Sequence, residues 1–312
     1  MREGFNLKNL FFSHDEKDLA EYSFIGEEIS LSIFNIFISL IGLVGNGNVI
    51  WLLGFHIKRK PLATYILNLA VADFGSLLFL LLLNILMNLP YINKYFLPPP
   101  IVYQILLSLS QLMYSSSQFL LTAISIDRCV SVLFPNRYQH HRSPVLSTSV
   151  CVLMWALTFV LSSGPLILEF AGLAYYNDPV IDWVYLVSTS ICISLMTISA
   201  LILLIKVCFR SHRCQCGNLL KVILLMLLSF ILLTFVTCAY AYARLITNQF
   251  TPMSYFILGI TLRSDINPLI YFLVGRQNGG KFQERMKVIL QRVFKEDRDT
   301  GAELQPRIET PL

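Results

Sequence analysis

The sequence predicts an all-α membrane protein: a seven-transmembrane helix bundle with a short amphipathic eighth helix. Three observations carry that prediction. The chain is 55% hydrophobic and only 14% charged, whereas a soluble domain carries about 25% charged residues. Its apolar residues run in long blocks, seven of which reach the roughly 20 residues a helix needs to cross the hydrocarbon layer. After the last block, apolar residues recur at helical spacing on a strongly basic background.

The seven blocks are Ile29–Phe55, Leu62–Asn88, Pro98–Val132, Val145–Leu168, Trp183–Phe209, Asn218–Ile246 and Thr251–Val274. They divide the chain into a head over residues 1–28, a membrane domain over 29–274 and a tail over 275–312. The head has no apolar stretch near its start, so the first span is expected to act as its own insertion signal. The eighth helix rests on Phe282, Met286, Ile289, Leu290, Val293 and Phe294, which share one helical face. Lys281, Arg285, Lys287, Arg292 and Lys295 surround that face, as in a helix lying on a membrane surface.

Charge sets the expected orientation, because positive residues stay on the cytoplasmic side. One side carries His56-Ile57-Lys58-Arg59-Lys60, the Lys206–Lys221 loop with Arg210 and Arg213, and the basic tail from Arg276. On the other, residues 1–28 hold seven acids (Glu3, Asp15, Glu16, Asp18, Glu21, Glu27, Glu28) against three bases (Arg2, Lys8, Lys17). Glu169, Asp178 and Asp182 add to it. The expectation is a multi-pass plasma-membrane protein, N-terminus extracellular and C-terminus cytoplasmic. The net charge of +5 lies along an inner membrane face, so the lipid bilayer is its partner and no nucleic acid is expected.

The seven cysteines fall in spans or on the inner side, so no extracellular disulfide is expected. No Asn-x-Ser/Thr acceptor for an N-glycan occurs. His212-x-Cys214-x-Cys216 is too sparse for zinc; no metal and no cofactor is expected.

Charges inside a span cost roughly 3 kcal/mol each on insertion scales and face the bundle interior. Asp73 lies in the second span, Asp127-Arg128 closes the third, and Arg263 and Asp265 precede Asn267-Pro268 in the seventh. Asn46 lies in the first. Singly, each has an ordinary reading: a hydrogen-bonding hub, an interfacial anchor, a tolerated proline kink. Their order and spacing carry the information.

Asn46, Asn68-Leu69-Ala70-x-x-Asp73, Asp127-Arg128, Trp155 and Asn267-Pro268-Leu269-Ile270-Tyr271 resemble the landmarks of the rhodopsin-like (class A) G-protein-coupled receptors, in order, over nearly the whole chain. The run from Leu121 to Pro135, with Cys129 after the arginine and Ser131-Val132-Leu133-Phe134-Pro135 following, is similar to the Mas-related receptor family. So are Leu153-Met154-Trp155-Ala156-Leu157, Tyr271-Phe272-Leu273-Val274-Gly275, and Tyr103 where a disulfide cysteine is usual.

The resemblance implies a receptor without enzymatic activity. An extracellular ligand, a peptide or small amine-like molecule, would shift an inactive–active equilibrium through its differential affinity for the two states. The active state would open an inner crevice to a heterotrimeric G protein. Arg128 would contact that partner, with Asp127 holding it at rest. Asn267, Pro268 and Tyr271 would complete the switch, Tyr271 swinging inward on activation. The polar core would comprise Asn46, Asp73, Ser117, Arg263, Ser264 and Asp265. Relatives hold sodium at that level. Here Arg263 stands where a neutral polar residue is usual, and it is expected to pair with Asp73 and exclude sodium; the alternative is that it turns to Asp265 or the outer cavity.

Two further departures concern the sixth span. It lacks the usual proline, with Ala241 in its place, and Lys221 stands where many receptors have an acid to latch Arg128. At the outer ends, the acidic pair that some Mas-related receptors use falls on Pro165 and Ser188. The expected ligand contacts are Tyr103, Ser110, Tyr114, Glu169, Asp182, Trp183, Tyr240, Arg244 and Tyr255. The tail has Thr300 and Thr310 as its hydroxyls, so arrestin recruitment through tail phosphates is expected to be weak. A receptor-shaped protein with altered or lost signalling is the alternative reading. A small-solute transporter is another, although no internal repeat of the transporter kind is present.

Overall fold

The computed structural model describes residues 7–56, 61–93, 95, 99–134, 138, 144–171, 179–210, 218–247 and 253–275. Side chains at 7–24, 144, 165, 166, 168–170, 179–185, 207–210, 218–221, 241, 243–247, 253 and 271–275 fall outside the description. The described residues form seven α-helices: α1 Leu7–Trp51, α2 Pro61–Ile92, α3 Pro100–Leu133, α4 Pro144–Phe170, α5 Pro179–Arg210, α6 Asn218–Thr247 and α7 Met253–Gly275. A π-helical turn, Leu52–His56, closes α1. Four expected spans fall within one helix; the first runs from α1 into its π turn, and the third and seventh expected spans start two residues before α3 and α7 begin. The expected eighth helix lies outside the described residues.

Four of these helices, α2 to α5, open on proline. At the first helical position its missing N–H is one that would lack a partner anyway, and its fixed φ suits the helix. α3 ends where Phe134 leaves the helical region at φ −128° and ψ 61°, its N–H still donating to the Val130 carbonyl. Pro135 follows and disfavours helix at the residue before it.

α1 begins at Leu7, so its helix reaches into the segment expected as a head. Its 45 residues span about 67 Å at 1.5 Å per residue, twice the hydrocarbon thickness of about 30 Å. The apolar part that fits the membrane starts at Ile25. Lys8, Glu16, Lys17, Ala20 and Glu21 are good helix formers, which lets the helix continue without an apolar block.

Among the described residues, five helices are long and apolar enough to cross a membrane by length and composition: α1, α2, α4, α5 and α6. Their outward residues are apolar, such as Ile33, Phe37 and Val44 on α1, Val152 and Phe159 on α4, and Leu232 and Phe235 on α6. α3 and α7 are more polar and sit among the others. α3 packs on α2, α4 and α5, while α7 packs on α1 and α6. Trp155 Nε1 on α4 donates to Asn68 Oδ1 on α2 at 3.1 Å.

Two hydrophobic clusters fill the bundle. One gathers Leu69, Leu120, Ile124, Met196, Leu227 and Phe230 toward the Leu133 end of α3. The other gathers Leu80, Leu83, Tyr114, Leu186, Ile257 and Ile260 toward the Pro100 end of α3. On α2, α3 and α7 the residues between them are Asp73, Ser76, Ser116, Ser117, Gln118, Arg263, Ser264 and Asn267, all buried. The polar-core candidates occupy a layer between two oily ones.

Candidate functional site

Asp73 is the centre of that layer and is fully buried. Ser117 Oγ on α3 donates to its Oδ1 at 2.6 Å, and Asn267 Nδ2 on α7 donates to its Oδ2 at 2.7 Å. Arg263 Nη2 lies 3.5 Å from Asp73 Oδ1. The guanidinium is 2% exposed and stacks over Tyr114 at 4.2 Å and Phe230 at 5.1 Å. A planar cation suits such a slot, because ring faces attract it and the carboxylate compensates its charge. Arg263 therefore ties α2, α3 and α6 to α7. Its Nε and Nη2 make no hydrogen bond, so the pair is held by charge rather than by a two-pronged fork.

Asn46 shows how α1 and α7 fit. Pro268 lacks an N–H, so it leaves the carbonyl four residues back, that of Ser264, without its helical donor. Asn46 Nδ2 supplies one, donating to Ser264 O at 3.1 Å and to Gly42 O at 3.1 Å. Gly45 makes the approach feasible, since a Cβ there would sit 2.9 Å from Pro268 Cβ. One turn away, a Cβ on Gly42 would overlap the carboxylate of Asp265. Glycines on α1 thus admit both the proline and the acid of α7. Asp265 Oδ1 is buried with no hydrogen bond to another protein group.

At the C-terminal end of α3, Arg128 bonds Asp127 through Nη2 and, at 3.1 Å, through Nε. Tyr138 joins them, its hydroxyl donating to Asp127 Oδ2 at 2.9 Å and accepting from Arg128 Nη2 at 2.9 Å. Sequence reading missed Tyr138. The local signal was slight: a lone tyrosine beyond the Pro135 helix stop. The switch residues Asn267 and Pro268 lie in α7, where Tyr271 is helical and its side chain falls outside the description.

At the N-terminal end of α7, Tyr255 donates to Glu27 and Ser254 to Glu28. Ser254 Oγ also lies 3.3 Å from Ser32 Oγ, and Asn35 Nδ2 donates to the Ser254 carbonyl at 3.0 Å. Tyr255 is thus engaged with α1. Tyr103 packs against the second cluster, and Tyr240 stacks on Phe256 at 6.1 Å. Ser110 spends its hydroxyl on the Leu107 carbonyl at 2.7 Å, and Tyr114 is buried beneath under Arg263. The side chains of Glu169, Asp182, Trp183 and Arg244 fall outside the described residues. Among the described residues no group of three or more His, Cys, Asp or Glu is arranged to hold a metal.

Comparison with known proteins gives one family. The profile described as "7 transmembrane receptor (rhodopsin family)" matches residues 45–271. Proto-oncogene Mas of Homo sapiens is 32% identical over 279 residues, which cover 86% of this chain and 83% of that protein. Mas-related G-protein coupled receptor member D of Macaca fascicularis is 34% identical over 281 residues, covering 86% and 85%. Member X2 of Gorilla gorilla gorilla is 34% identical over 289 residues, covering 87% and 85%.

Proposed function

The chain belongs to the rhodopsin family of seven-transmembrane receptors, of the Mas-related type, and from that membership we propose that it senses an extracellular peptide or small amine-like ligand and passes the signal to a heterotrimeric G protein. It is a multi-pass plasma-membrane receptor and not an enzyme. The head faces outward and the tail inward. Arg128 is the G-protein contact, and the described conformation is the resting one.

The observation that carries the proposal is the Asp127–Arg128–Tyr138 cluster at the inner end of α3. A charged group engaged by two partners is a two-state element: it is stable as it stands and available to a competing partner once those bonds open. A ligand at the outer end needs only a differential affinity for the opened state. The test is G-protein dissociation in cells challenged with a panel of peptides and amines, with Arg128→Ala as control. A response in the wild type that disappears in the variant at equal surface level is expected. Equal responses in both refute the assignment of Arg128.

One observation favours altered signalling. α6 runs as an unbroken helix from Asn218 to Thr247, without the proline that loosens this helix in relatives. No ligand-evoked response and no effect of Arg128→Ala would favour that reading. Family membership leaves the transporter reading without support.

A further inference from the structure

We propose that the seam between α1 and α7 takes up one small monovalent cation at Asp265, separate from the Asp73 position that Arg263 fills. Among the described residues, two carboxylates and one guanidinium meet at the polar layer: Asp73 and Arg263 are buried, and Asp265 is partly buried with its Oδ1 shielded. Arg263 lies against Asp73, which leaves the charge of Asp265 uncompensated. An isolated carboxylate in a low-dielectric interior is too costly to persist without a partner. Asp265 also lies within electrostatic reach of Asp73, which adds to the demand for positive charge.

The helices that meet at Asp265 carry buried oxygens with no hydrogen-bond partner among the described residues, Ser39 and Ser76 being within a turn of its Gly42 and Leu77 neighbours. Among the described residues, buried oxygens without a hydrogen bond to another protein group include Asn35 Oδ1, Ser39 Oγ and Asn46 Oδ1 on α1, Ser76 Oγ on α2, and Asp265 Oδ1 itself. Asn35, Ser39, Asn46 and Ser76 are fully buried. Buried polar atoms left over in this way mark ordered water or an ion. Asn35, Ser39, Gly42 and Asn46 recur at helical spacing on the α7-facing side of α1. Asn46 bonds the carbonyls of both Gly42 and Ser264, the residues flanking the Asp265 contact. Glu27 and Glu28, with Tyr255 and Ser254, close the same seam at its outer end. The charged and titratable groups that α1, α2 and α7 direct to the seam are thus Glu27, Glu28, Asp73, Arg263, Tyr255 and Asp265. The shared chemistry is a single positive charge on an oxygen-lined carboxylate, and sodium ion and proton are its two sources.

The experiment uses the full chain in zwitterionic nanodiscs and reads the thermal unfolding midpoint, which does not depend on signalling. One arm exchanges sodium chloride for choline chloride at constant ionic strength and pH. The other varies pH in choline chloride. The wild-type midpoint is expected to rise by roughly 2–4 °C in one arm, as sodium or acid is added. Asp265→Asn, close in shape but uncharged, should be flat in both arms. Gly42→Ala, which displaces the carboxylate, should weaken the response. A response to sodium identifies the ion as the cation, and a response to acid alone identifies the proton. A wild type flat in both arms overturns the proposal, as does an Asp265→Asn variant that keeps the wild-type response.

Discussion

Arg263 and Tyr138 show two ways in which a single side chain sets the resting balance. Arg263 compensates Asp73 from a slot between two rings, so removing it leaves a buried carboxylate short of a partner. Breaking such a pair costs roughly 3–5 kcal/mol. Arg263→Ala should therefore reduce correctly folded protein at the surface, measured by antibody binding to a tagged head, more than it weakens ligand affinity. Asp73→Asn on top of it should restore much of the loss. A double variant no better than the single one would refute the pairing. Tyr138 acts on the other end. Hydrogen bonds to charged groups are worth about 1.5–3 kcal/mol, and the low end of that range shifts an equilibrium near tenfold. Tyr138→Phe is predicted to raise ligand-free G-protein dissociation severalfold, and an unchanged basal signal at matched surface level would count against the resting assignment. These two residues were not equally legible. Arg263 stood out because a charge inside a span has to be explained. Tyr138 is an ordinary loop residue in sequence, and only the structure, with its N–H on the Phe134 carbonyl, brings its hydroxyl to Asp127.

The helices were legible where one rule sufficed. Each long apolar block overlaps one of the seven described helices, and prolines at Pro61, Pro100, Pro144 and Pro179 mark where four helices begin. Ends were less legible, because helix continues through polar sequence when propensity allows, as from Leu7 to Ser23 in α1. The outer α1–α7 contacts were hidden for another reason: Glu28 and Ser254 lie 226 residues apart, and nothing local in either segment names the other. α6 is the element whose character bears most on signalling. Proline in a helix interior breaks one hydrogen bond and costs about 3 kcal/mol where the backbone cannot adapt; in its absence α6 is a stiffer lever. Ala241→Pro should bend the helix and free its inner end. Spin labels on the inner ends of α3 and α6 would then show a broader and longer distance distribution than in the wild type. An unchanged distribution would mean that the straightness of α6 does not restrain it.

At the scale of the molecule, polarity and position go together. The five helices that pass as membrane-crossing on composition carry apolar outer faces, while α3 and α7 turn their polar residues to the helices around them, α3 to α2, α4 and α5 and α7 to α1 and α2. Lipid offers no hydrogen bonds, so such residues are tolerable only inside. The two helices with the weakest apolar signal therefore carry Arg128, Ser117, Arg263 and Asn267. Orientation is the remaining global property, and it rests on charge alone. Lys and Arg flanking spans are retained on the cytoplasmic side during insertion. The acidic head opposes the basic His56–Lys60 segment across the first span, so the first helix already points one way. Lys8→Thr creates a glycan acceptor at Asn6, about twenty residues before the first span and so beyond the membrane's steric shadow. If the head enters the secretory lumen, this variant should gain mass in cells and lose it on treatment with an N-glycosidase, while the wild type shows neither change. A head that stays in the cytosol cannot meet the glycosylation machinery. Lack of a shift in Lys8→Thr, together with protease protection of a head tag in permeabilised-cell controls, would reverse the topology. It would also carry Arg128 and Tyr138 to the wrong side for a G protein, so one mass measurement bears on the fold's orientation and on the receptor's mechanism together.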